Sequence, residues 1–276
     1  MSLLDFNVPL DPNFVYPIGD FSPKIIFHDG SNGLSIRTMS LSELVSIREN
    51  WLVPEGWPGI KNVLAAAYAN DPEGFYLLEK DGDKIASISV VTYPEINFAY
   101  LGFYLVIKPI RGQGYGKFLI NKAMEYTAVN RRVTAFGLNC VEAAVSMYQS
   151  YGFKVVTTDN FWKFTKSDSS VKNFVDGSIV KINTLDQELL TNLIKYDASV
   201  LKAHRKEFLP KFLLKPGTMT IISQNDGVIN GYGVLSVRDP VIPEPYTSFC
   251  NSLRILFVII LYDVTVNSVT INDMLF

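Results

Sequence analysis

The sequence predicts a mixed α/β fold, an α+β mixed sheet followed by a smaller related unit. Three observations predict it. Strand-like runs flank the turn pair Asp81-Gly82, which marks an antiparallel hairpin. Helical spacing then alternates with short apolar runs after Ile110. Between those two regimes lies a bare turn, Arg111-Gly112-Gln113-Gly114-Tyr115-Gly116, where a strand ends and a helix begins.

The elements follow in order. Met1 to Gly33 is rich in Pro, Asp, Asn and Gly and is expected to be an irregular extension. Leu34 to Thr38 is a short strand. Ser40 and Glu43 stand at capping-box spacing, and Leu41, Leu44 and Ile47 continue at helical spacing. A loop with Trp51 and Trp57 separates this helix from a second, carried by Ile60, Val63, Leu64, Ala67 and Tyr68. Phe75 to Glu79, Ile85 to Val91 and Phe98 to Ile107 are three meandering strands. On the third, Tyr100, Gly102 and Tyr104 are expected on one face. Beyond the bare turn come a helix from Tyr115 to about Ala128, a strand from Val133 to Leu138, and a helix from Val141 to Ser150. Phe153 to Val156 and Phe161 to Phe164 read as the last strands of this unit. A polar stretch leads to a second unit. There Thr184 is placed to cap a helix, and two strands surround Asn225-Asp226-Gly227. The expected divisions are 1–33, 34–166, a linker at 167–178, and 179–276. The segment Val264 to Ile271 alternates like an edge strand.

Composition narrows the function. A hydrophobic share of 48% in 276 residues supports a real core. A formal net charge of −2 argues against a general nucleic-acid binder. Cys140 and Cys250 form neither a disulfide framework nor a zinc quartet, and no histidine pair has ligand spacing, so no metal is expected. Met1 to Asp20 lacks a signal-peptide pattern, and Ile255 to Leu261 is too short to span a bilayer. The expectation is a protein of the cytoplasm or nucleus, with no membrane partner.

The bare turn is a phosphate site by its chemistry. Backbone N–H groups at a helix start point outward, and the helix dipole adds partial positive charge. Glycines allow close approach of the chain. Phe118 stands where a Walker loop needs Ser or Thr, and Lys117 where a dinucleotide fingerprint needs Gly. What remains is R-x-x-G-x-G, made by Arg111, Gly114 and Gly116.

That pattern, with Tyr148-Gln149-Ser150-Tyr151-Gly152-Phe153 one strand and one helix later, resembles the GNAT superfamily of N-acetyltransferases. The element order is the GNAT order. The resemblance implies acetyl-CoA as acyl donor, with its pyrophosphate on Arg111, Gly112, Gln113, Gly114, Tyr115, Gly116 and Lys117. It implies that the backbones of Leu105 and Ile107, before Pro109, pair with pantetheine and polarise the thioester. Tyr148 would protonate the leaving thiolate. Asn139 would touch the cofactor, and Glu95 is the candidate general base. Trp51 and Trp57 would shape the acceptor pocket, whose occupant is a small-molecule or protein amine. Tyr196-Asp197, Arg205 and Phe208-Leu209 resemble the C-terminal lobe of a two-lobed GNAT subgroup. The implied reaction is direct attack by a primary amine in a ternary complex. A non-catalytic CoA- or acyl-CoA-binding module is the alternative.

Overall fold

The computed structural model describes residues 21–56, 61–156, 178–182, 187–214, 218–237 and 255–261. They fall into two compact units, one mainly from Ile18–Asn160 and one mainly from Phe161–Val200 and Arg205–Val266.

The first unit is a six-stranded sheet with helices on both faces. Its strands are β1 (Ile25–Asp29), β2 (Leu34–Thr38), β3 (Phe75–Lys80), β4 (Asp83–Tyr93), β5 (Phe98–Val106) and β6 (Ala135–Leu138), ordered β1 to β6 across the sheet. β1 to β5 pair antiparallel, and β6 joins β5 in parallel. A parallel neighbour needs a crossover, which α3 (Tyr115–Asn130) supplies. The central strand β4 is buried from Ile85 to Thr92 on both faces. On one face, Ile88, Val90 and Leu101 pack with Leu119, Ile120 and Met124 of α3. On the other, Leu77, Val91 and Leu105 pack with Leu44 of α1 (Leu41–Ile47) and Leu64 and Tyr68 of α2 (Lys61–Asn70).

Local chemistry sets the element ends. Ser40 Oγ accepts from the Glu43 N–H, and Glu43 reaches back to the Ser40 N–H, closing the expected capping box. Glu43 also pairs with Arg37 and Lys84. Asp81 and Gly82 both adopt positive φ, the geometry that a two-residue hairpin turn requires. Asp71, 5% exposed, binds the Thr92 N–H and Oγ1 and the Arg131 guanidinium, tying the end of α2 to β4 and to the end of α3.

The second unit is a four-stranded antiparallel sheet of β7 (Ser178–Ile182), β8 (Thr218–Asn225), β9 (Val228–Val237) and β10 (Ile255–Leu261), in the order β10-β9-β8-β7. Its helices are α5 (Gln187–Leu201) and α6 (Phe208–Leu213). The Asp226-Gly227 turn repeats the positive-φ pair of the first unit. Asp197, 2% exposed, takes both Arg205 Nε at 2.9 Å and the Tyr232 hydroxyl at 2.7 Å. Burial holds the Tyr232 phenol above its ordinary pKa.

Several sequence expectations need correction. The stretch before Leu34 is not wholly irregular. Ile25–Asp29 pairs with β2 and becomes the sheet edge. Phe153 to Val156 is not a strand. Gly152 turns left-handed at φ 93°, and the Phe153 N–H returns to Tyr148 O, closing the preceding helix instead. The chain then leaves with Val155 and Val156 exposed and unpaired by any described strand. Tyr104 does not share a face with Tyr100. Phe103 sits at φ 53° and inserts one extra residue opposite β4, so side-chain alternation inverts there. Tyr104 therefore faces the α3 side with Leu101, while Phe103 and Leu105 face the α1 side. Trp57, the Thr184 cap, Phe161 to Phe164, Cys250 and Val264 to Ile271 lie outside the described residues.

Candidate active site

The site begins where β5 loses its neighbour. β6 pairs only with Phe98 to Leu101 and ends at Leu138. From Gly102 to Val106, β5 has no ladder partner on that side among the described residues. The Phe103 bulge starts this open stretch, and Ser87 Oγ pins it by donating to Phe103 O at 3.0 Å. An open strand edge is a row of backbone donors and acceptors for an extended amide ligand.

Backbone direction decides which residues serve that edge. The Ile107 N–H donates to Ile85 O at 3.1 Å, inside the sheet. Leu105, two residues earlier and opposite Ser87, points the same way. The alternate residue, Val106, turns its carbonyl outward, where Arg111 Nε donates to it at 2.7 Å. By the same alternation Tyr104 presents its backbone outward.

Beyond the edge comes the glycine turn. Gly112 and Gly114 adopt φ 79° and 88°, and Gly114 is the N-cap of α3. The N–H groups of Tyr115, Gly116 and Lys117 open the helix and have no acceptor within it. Gly116 must be Gly for a different reason. A Cβ there would stand 2.5 Å from the Tyr104 hydroxyl and 3.2 Å from Val106 Cγ2. Its absence lets the helix start lie against β5, which brings the outward amides beside the open edge. This cradle fits a pyrophosphate. Lys117 and Gln113 are exposed there, and Lys80 Nζ lies 5.7 Å from the Tyr115 ring centre. Lys80, Lys84, Ile107, Ile110 and Gln113 border an open groove of about 480 Å³ beside the turn.

Tyr148 lies on α4 (Val145–Ser150), half-buried. Its ring meets Tyr104 at 6.3 Å, Tyr151 at 6.4 Å and Phe153 edge-on at 5.9 Å. The structure thus joins Tyr148 to the open half of β5 through Tyr104. Burial, then Cys140 and Tyr151, pushes the Tyr148 phenol up to about 12. Burial and the neighbouring tyrosines also raise Tyr104.

The remaining sequence candidates are placed differently. Asn139 follows β6 directly and is exposed. Glu95 is exposed on the turn before β5, at the opposite end of that strand from the glycine turn. Trp51 is partly buried against the α1 side core. Among the described residues no cluster of His, Cys, Asp or Glu is arranged for a metal. No described helix is long and apolar enough to cross a membrane.

Two features escaped the sequence. One is the Phe103 bulge, since a non-glycine residue at positive φ carries no local signature. The other is Glu55, whose carboxylate binds the Arg111 guanidinium at 2.9 Å and lies 3.4 Å from Lys108 Nζ. Those cations hold the Glu55 carboxyl below its ordinary pKa, Arg111 foremost.

Residues 40–153 match the family described as acetyltransferase (GNAT) family. A protein of Pseudoalteromonas sp. (strain SANK 73390) named holothin acyltransferase is 28% identical over 200 residues, which cover 72% of this chain and 63% of that protein. The chain thus matches less than two thirds of that relative's length. A crystal structure from Pyrococcus horikoshii, assigned provisionally to the acetyltransferases, aligns with TM-score 0.53 at 16% identity. That alignment covers 77% of this chain and 73% of the other, and it shows a shared fold.

Proposed function

We propose, from the match of residues 40–153 to the acetyltransferase (GNAT) family, that this protein transfers an acetyl group from acetyl-CoA to a primary amine. The observation that carries the reading is the junction of three parts. An open edge of β5, a glycine-turn cradle at the start of α3 and a half-buried tyrosine on α4 meet around Tyr104.

Each part has a job. The amides of residues 112–117 receive the pyrophosphate, with Arg111 and Lys117 supplying charge. The outward backbone of Val106 and Tyr104, flanked by Leu105 and Ile107, pairs with the pantetheine amides. The neutral amine attacks the thioester carbon directly, forming the C–N bond. As the C–S bond breaks, the Tyr148 hydroxyl gives its proton to the departing sulfur, and the ammonium proton passes to a base. A phenol held up at about 12 is fully protonated at neutral pH, as an acid for this step must be. Glu95 is the carboxylate proposed from sequence for the base, reached through water.

The relative's name supplies the acceptor we propose for this chain, holothin or an amine like it. Incubation with acetyl-CoA and a panel of amines that includes holothin, amino acids and polyamines tests the proposal by release of free thiol. Amine-dependent release supports transfer. Tight CoA binding without release for any amine would instead favour a non-catalytic CoA-binding module.

A further inference from the structure

Resting on the CoA reading of the glycine turn, we propose that Glu55 is a positioning residue that latches Arg111 across the open edge of β5. The cofactor must then displace the guanidinium to enter.

The geometry is specific. Glu55 ends a short helical turn, Val53–Glu55, and its side chain is 22% exposed. Its two carboxylate oxygens meet Arg111 Nη2 at 2.9 Å and Nη1 at 3.5 Å. The third nitrogen of the same guanidinium, Nε, donates to Val106 O at 2.7 Å. One planar cation, 56 residues from Glu55 in sequence, thus bridges the loop after α1 to the strand edge. Such a fork fixes orientation, which a lysine point charge would not.

Two partners compete for these groups. The Val106 carbonyl is the outward acceptor that an extended amide ligand would take. Arg111 directly precedes the pyrophosphate cradle in sequence. While Glu55 holds Arg111, that carbonyl is occupied and a negative charge stands among the cradle's cations. Glu55 therefore weakens cofactor capture, and capture frees the 53–56 loop from β5. Cofactor binding and loop release become one coupled event.

Calorimetric titration of CoA into wild type, Glu55→Gln and Glu55→Asp tests this. At low salt, Glu55→Gln should bind CoA about threefold to tenfold more tightly, the scale of losing one partly exposed ion pair and one repulsive charge. Glu55→Asp keeps the charge and should stay near wild type. The gap between Gln and wild type should close near ~1 M salt, where the screening length falls to about 3 Å. In turnover, the KM for acetyl-CoA should fall more than kcat changes. Unchanged or weaker CoA binding by Glu55→Gln overturns the latch. Absence of any CoA binding by wild type removes the CoA reading itself, a different result.

Discussion

Replacing Tyr148 by Phe removes one hydroxyl and leaves the ring. The ring contacts at 6.3 Å to Tyr104, 6.4 Å to Tyr151 and 5.9 Å to Phe153 do not depend on that oxygen. Tyr148 packs against the α3-side core through its ring, so stability should change by less than about 1 kcal/mol. Chemistry should change far more. Without the acid, the thiolate leaves unprotonated, and turnover should fall on the order of 10²-fold, or about 2.7 kcal/mol of barrier. Burial pushes the phenol up to about 12, so its loss should weigh equally across neutral and mildly alkaline pH. The assay is thiol release at saturating acetyl-CoA, paired with a thermal melt and a CoA titration. Unchanged turnover would remove Tyr148 from the mechanism. A turnover loss matched by a lower melt or weaker CoA binding would make Tyr148 a packing residue.

Three further outcomes are expected. Gly116→Val should cost about 1–3 kcal/mol by overpacking against Tyr104 and weaken CoA binding, whereas Gly114→Ala meets no atoms and should cost only about 1–2 kcal/mol of left-handed strain; melts and titrations separate the two. Asp71→Ala strands the partly buried Arg131 guanidinium and the buried Thr92 N–H, so denaturant unfolding should show a loss of about 1–3 kcal/mol. Alkali should destabilise the first unit. The folded Tyr148 phenol lies at about 12, above its ordinary value, so the folded state holds the proton more tightly. That stability is complete below pH ~10 and is lost as pH rises to about 12, roughly 2–3 kcal/mol from Tyr148, with Tyr104 acting in the same direction. Melts across that window, with phenolate absorbance followed alongside, would show ionisation and unfolding together; phenols that ionise without any loss of melting temperature would contradict the burial argument.

Legibility in the sequence tracked the range of the interaction. The Ser40–Glu43 capping box and the Asp81-Gly82 turn were readable because each is decided within four residues. The glycine turn was readable because left-handed backbone and a helix start leave a compositional mark. Gly152 likewise stands where a helix-ending glycine was expected, yet the strand expected after it is replaced by the helix closure itself. The edge strand Ile25–Asp29 was missed because its Pro- and Gly-rich surroundings mask a pairing that only β2 supplies.

By itself, the sequence determined the order of elements from β2 to α4, the position of the glycine turn and the tyrosine one strand and one helix beyond it. Only the tertiary structure decided that Phe103 inverts β5, that Val106 rather than Ile107 faces outward, and that Glu55 reaches Arg111. Bulge register belongs to two strands at once, and an ion pair spanning 56 residues belongs to packing. Neither is written in any local window, because chain neighbours fix backbone preference while distant neighbours fix which preference survives.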